Sequence, residues 1–292
     1  MATWTDEDLY RLDEQFAKKG VARHARAFHA AIAILGSEFA IGVGGNPQVD
    51  AITADYDRLF PDAGDTWPGM GIGLAASVDQ VRKVTVPVVY GTCEVVVSKG
   101  IGFEIHEEFA RWCRGNADIA TRAAFAFADL FDLTYGLNEV DNAKPEAVES
   151  WRLAMSQLEM TTSTLIGSFD LSALTQSICM TVELSLKAAL MHLGVDATAL
   201  KKLGHDNVKS AELLASKKPH RDDALIATLV AKLPPYVGSR YKRADLTRLK
   251  MIDLALASQF IASSTLRRLT TRDFAANIER EEGANARTRL CA

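Results

Sequence analysis

Apolar positions recur three and four residues apart along most of this chain, the spacing that places them on one face of an α-helix. Thr5 can cap a first helix from Asp6 to Lys19, with Asp8 completing the reciprocal capping pattern and Gly20 stopping it. A second helix is predicted over 21–35 and a short one over 50–60. The stretch VTVPVVYGTCEVVV (84–97) is the one strong strand signal, because it is rich in β-branched residues. Pro87 demotes its first part to an edge or a bend. From 103 to 133 the pattern is helical again, broken near Gly115-Asn116. This half reads as mostly helical with a small β element.

Everything beyond residue 144 reads as helix. DNAKPEA (141–147) is polar, and Pro145 suits the first turn of a new helix. Helices are predicted over 146–166, then to His192 with Asp170 or Ser172 as cap, then over 205–216, 221–233 and 244–269. Short connections between long amphipathic helices imply an antiparallel up-and-down bundle. The organisation expected is therefore a region 1–140 of unassigned role, a bundle over 145–275 and a polar tail over 276–292.

Composition adds exclusions. At 292 residues, with 48% hydrophobic and 24% charged positions, the chain can bury a core without disulfides or metals. Its longest uncharged runs, Thr66 to Val78 and Leu254 to Leu266, are 13 residues, too short for a membrane span. The acidic start MATWTDEDLY is unlike a signal peptide, so a cytoplasmic location is expected. Cys93, Cys113, Cys179 and Cys291 are far apart, which argues against a zinc site or a disulfide scaffold. No cofactor is expected.

Charge is uneven. Residues 1–140 carry 12 Lys and Arg against 20 Asp and Glu, whereas 199–250 carries 12 against 5. A local anionic partner is one reading of such an asymmetry, and lysines on solvated helix faces are the other.

Several motifs could carry chemistry. GMGIG (69–73) follows Trp67-Pro68 and has no lysine at Walker spacing, so it reads as a loop rather than a phosphate cradle. His24 and His29 lie five apart, the wrong spacing for two ligands on one helix face. IHEEF (105–109) reads as an acidic helix start. Glu183 and Lys187 stand one turn apart in CMTVELSLKAALMHLG, a setting too apolar for a solvated pair. GHDN (204–207) puts His205 and Asp206 at a helix start. GSRYKR (238–243) concentrates Arg240, Tyr241, Lys242 and Arg243 between helices, where guanidinium groups can grip phosphate and tyrosine can stack.

The order VELSLKAALMHLG, LGHDNVKSAELL, PYVGSRYKR and DLALASQFIASSTL resembles the HEPN family (higher eukaryotes and prokaryotes nucleotide-binding) over about Pro145 to Leu269. That resemblance implies a four- or five-helix bundle that commonly dimerises. It also implies one of two activities: a metal-independent ribonuclease of toxin or defence systems with an R-x(4–6)-H motif, or a nucleotide-binding branch without it. No such motif lies in the resembling region. The one R-x5-H match, Arg23 to His29, lies outside it. The reading is thus a HEPN-like binding protein, with Lys187, His205, Asp206, Arg240, Tyr241 and Arg243 contacting a nucleotide or RNA phosphate in a basic groove. The alternatives are a degenerate HEPN-type ribonuclease and a purely structural dimer. A homodimer with its seam between Leu246 and Leu269 is expected, and the acidic first half is a candidate surface for a partner protein.

Overall fold

The computed structural model describes residues 3–40, 45–63, 69–88, 94–140, 143–235, 246–283 and 287. Helix accounts for 68% of it, and the β structure among the described residues is one two-stranded antiparallel sheet, so the chain is mainly α. Among the described residues no helix is long and apolar enough to cross a membrane.

The chain divides into compact units at 1–68 and 69–292, not at the polar stretch 141–147. In the first unit Thr5 caps α1 (Asp6–Lys18) with the reciprocal Asp8 bond that the sequence predicts. α2 (Arg26–Leu35) and α3 (Pro47–Leu59) complete it, around Leu9, Ala30, Ala31, Ile52 and Tyr56.

The second unit begins with a hairpin, β1 (Gly71–Ser77) and β2 (Gln80–Val86), paired from Gly71 with Val86 to Ser77 with Gln80. Two expectations fail here. GMGIG is not a loop, since its last three residues open β1, and the strand signal at 84–97 covers only the last three residues of β2. Of the remainder, 89–93 lies outside the described residues and Val97 starts α4 (Val97–Gly100).

The glycines explain why β1 escapes notice. A Cβ on Gly71 would overlap the Thr134 hydroxyl, and one on Gly73 would overlap the Gln259 side-chain amide. These positions are small because the strand backbone lies directly against two helices.

Those helices frame the core. α5 (His106–Trp112) leads to α6 (Ala117–Glu139), capped by Asn116 at the predicted break. α7 (Pro145–Gly167) and α8 (Leu174–His192) pack along one another. Neither Asp170 nor Ser172 caps α8: its first residue follows Ala173, and Asp170 accepts from the Ser172 N–H in the preceding turn. α9 (Ala197–Leu203), α10 (Asn207–Lys217) and α11 (Asp223–Val230) follow. α12 (Arg248–Arg267), capped by Thr247, packs against α6, α7, α8 and β1. The described residues of 145–269 hold no strand, in line with the expected helical region.

α12 also removes the ground for the predicted dimer seam. Leu254, Ala255, Phe260, Ile261, Ala262 and Leu266 are buried by the chain's own helices. Buried by its own chain along most of its length, polar residues such as Ser258, Gln259 and Ser263 included, the helix is central rather than one waiting for a second copy. Nor is 276–292 simply a polar tail. α13 (Ala275–Glu282) packs on α6, and the Arg287 side chain is buried.

Candidate functional site

α8 presents Glu183 and Lys187 one turn apart where α9 and α10 meet it. The Lys187 ammonium donates to Glu183 Oε1 at 2.7 Å and to the Gly204 carbonyl at 2.6 Å. Gly204 ends α9 at φ +58°, a left-handed conformation that suits glycine. The next residue, His205, places Nδ1 2.9 and 3.1 Å from the two Glu183 oxygens. Facing a carboxylate, Nδ1 carries the proton and donates, which orients the ring. Glu183 is buried and Lys187 largely so, whereas the His205 side chain is 49% exposed.

The sequence-predicted site residues fall into three groups. Lys187 and His205 are brought together, on a shared carboxylate of the chain itself. Asp206 is not turned to that cluster. It caps α10 by accepting from the Lys209 N–H, and it pairs with the Lys209 ammonium at 2.9 Å, which together hold its carboxyl below the usual range. The helix therefore starts at Asn207, not at His205, and its Lys209 N–H already has an acceptor. Arg240, Tyr241 and Arg243 lie outside the described residues.

His205, Asp206 and Asn207 line one side of a recess of about 300 Å3, with Val230, Leu233, Pro234 and Pro235 across it. The segment that carries Arg240, Tyr241 and Arg243 follows Pro235 directly in the chain. Cys179, one turn before Glu183, lies 3.6 Å from the Pro234 carbonyl. Burial, with the Glu183 charge added, pushes its thiol up to about 12, so it is no thiolate nucleophile at neutral pH.

Sequence reasoning missed a second charged centre. Arg267, fully buried, donates to Asp132 Oδ2 at 2.7 Å and to Asp129. Asp222 lies 3.6 Å and Asp273 3.8 Å from its nitrogens. Burial pushes the Asp132 carboxyl up, while the guanidinium and the N–H groups of Phe274 and Ala275 pull it back. A sequence signal exists: Asp129 and Asp132 stand three apart inside the apolar run AFAFADLFDL, where lone carboxylates need a partner.

Asp222 and Asp273 give this centre a pH dependence. Burial raises the Asp222 carboxyl, but His220 and the Arg267 charge outweigh it and hold it below the carboxylate range. Burial raises the Asp273 carboxyl too, but its bond to Arg221 and the Arg221 charge outweigh it, and it is also lowered. A depressed folded-state value stabilises the fold above the unfolded pKa of about 3.9 and is lost as pH falls through the folded value. Urea midpoints are therefore expected to hold from neutrality to about pH 5 and to fall below about pH 4. In an Asp222→Asn, Asp273→Asn variant that acid-side fall should be visibly smaller. An equal fall in both proteins would show that these carboxylates do not cause it.

Comparison with family models, with curated proteins and with solved structures finds no match for this chain.

Proposed function

We propose that the chain is a HEPN-like binding protein that takes the phosphate of a nucleotide or RNA beside α8 and the α9–α10 turn. The observation that carries this reading is the convergence of Lys187 and His205 on Glu183 at the rim of a recess whose opposite wall ends at Pro235. From that wall the sequence runs into Arg240, Tyr241, Lys242 and Arg243. Lys187 is spent on Glu183 and Gly204, so its part is to hold the buried carboxylate and the turn in place. His205 and the arginines are the phosphate contacts, and Tyr241 is the stacking face. Each charge-assisted contact contributes about 1.5–3 kcal/mol.

Arg240→Ala is therefore expected to weaken binding about ten- to a hundredfold. Titration of the full chain with mononucleotides and short RNAs, alongside melting of the same variant, tests this. A fall in melting temperature with no nucleotide or RNA effect on the wild type would end the binding claim. Because the arginine–histidine spacing of the ribonuclease branch is absent, RNA is expected to be bound and not cut. If clean protein cleaves RNA and His205→Ala abolishes the cleavage, the ribonuclease reading replaces this one.

A further inference from the structure

A cavity of about 270 Å3 lies among α6, α11 and α12, close to the lower size of ligand pockets. Its lining is both apolar and cationic, with Phe125 and Phe260 beside Arg122, Lys232, Lys250 and Arg287. Two carboxylates, Asp129 and Asp253, also line it. Asp129 is already bonded to Arg267 and Arg287. Arg122, Lys232 and Lys250 form no ion pair among the described residues.

Arg287 is the informative group. Its side chain is 6% exposed. Its guanidinium lies over the Phe125 ring at 4.2 Å and the Phe260 ring at 4.7 Å, and Nη1 donates to Asp129 Oδ2 at 2.9 Å. Nε and Nη2 are buried and have no hydrogen-bond partner among the described residues. Besides Asp129, the Glu279 carboxylate forms an ion pair with Arg287 at 3.6 Å from Nε, too long for a hydrogen bond, and its other oxygen accepts from Arg221 Nε at 2.9 Å. Nε and Nη2 form the guanidinium edge that grips a carboxylate or phosphate with two parallel bonds. Arg122, which lines the same cavity, adds a second buried Nε without a partner among the described residues. Buried N–H groups without acceptors are costly and rare. Both arginines line the cavity.

We propose that this cavity is a binding site for a small organic anion: a flat apolar body seated against Phe125 and Phe260, bearing a carboxylate or phosphate gripped by Arg287 and Arg122. It is separate from the His205 recess, because Leu229 of α11 lines this cavity whereas Val230 lines the other. The apolar walls exclude water, which strengthens the ion pair, and the surplus of cations selects against neutral ligands of the same shape.

Calorimetric titration of the full chain with phenyl phosphate, benzoate and neutral benzyl alcohol tests the proposal. Saturable binding of at least one anion, about tenfold or more tighter than the alcohol, is expected, with a rise in melting temperature. The tighter of the two anions identifies the group the arginines prefer. Arg122→Gln should weaken binding about tenfold without lowering the melting temperature of the unliganded protein, since that side chain has no partner to lose among the described residues. Arg287→Gln should weaken it further. His205→Ala and Arg240→Ala should leave it unchanged, which separates failure of this site from failure of the phosphate-binding reading. No saturable binding of either anion at millimolar concentration would overturn the proposal. So would equal binding of the alcohol, or loss of binding in His205→Ala with retention in Arg122→Gln.

Discussion

Arg267→Met is expected to cost about 3–5 kcal/mol of stability, because it strands buried carboxylates rather than merely removing a contact. Asp129 and Asp132 are both buried and point to this one guanidinium from a single helix. Asp129 keeps Arg287, but Asp132 is left with only the backbone N–H groups of Phe274 and Ala275. At roughly 2–4 °C per kcal/mol for a unit of this size, melting should fall by about 6–20 °C. Two features separate this cause from lost packing. The penalty should shrink in mild acid, where stranded carboxylates take up protons. It should also shrink when Asp132→Asn is added, because a neutral amide is less costly to bury beside methionine. If the double variant is as unstable as the sum of the single ones, the carboxylates are not the reason.

That charged centre shows where the chain is readable and where it is not. Local signals predict local structure well. The Thr5 and Asp8 pattern caps α1, Asn116 caps α6 at the expected break, and the helices beyond 144 begin within a few residues of their predicted starts. These features depend on neighbours three or four positions away. Arg267 meets Asp129 and Asp132 across more than a hundred positions, and no periodicity links them. The hairpin fails for a related reason. Its turn at Val78–Asp79 carries no glycine, and Val78 takes φ +56°, a conformation unusual for a β-branched residue. Its first strand is glycine-rich because of helices that the local pattern cannot see. The α12 seam is the converse error, since apolar positions in excess of one neighbour's needs are read as an intermolecular face when four elements of the same chain cover them. At the His205 recess, the pairing of Lys187 with Glu183 is legible from one-turn spacing. Their meeting with His205 is not, because it depends on how α9 turns the chain back.

Gly73→Ala is expected to destabilise by about 3–5 kcal/mol, a large effect for one methyl group. Gln259, on α12, treats the outer edge of β1 as a neighbouring strand would. Its Oε1 accepts from the Leu74 N–H at 3.0 Å, and its Nε2 donates to the Leu74 carbonyl at 3.2 Å and the Ala126 carbonyl at 2.7 Å. One buried amide thus satisfies an open strand edge inside the core. A Cβ on Gly73 would fall inside the radius of Gln259 Oε1 and press on Leu130. Overpacking costs about 1–3 kcal/mol, and displacing the amide leaves buried polar groups unpaired at about 1–3 kcal/mol each. Gln259→Ala should also be costly, since it strands the same backbone groups. The two changes should not add. With the amide gone, the new methyl group has space, and Gly73→Ala should cost little in the Gln259→Ala background. Alanine loses less conformational entropy than glycine in a strand, so a small gain there is also in keeping with the account. A double-mutant cycle by urea unfolding measures this, with a coupling of at least about 1 kcal/mol expected between the two sites. Simple additivity would mean that the glycine is required for some reason other than the close approach of Gln259.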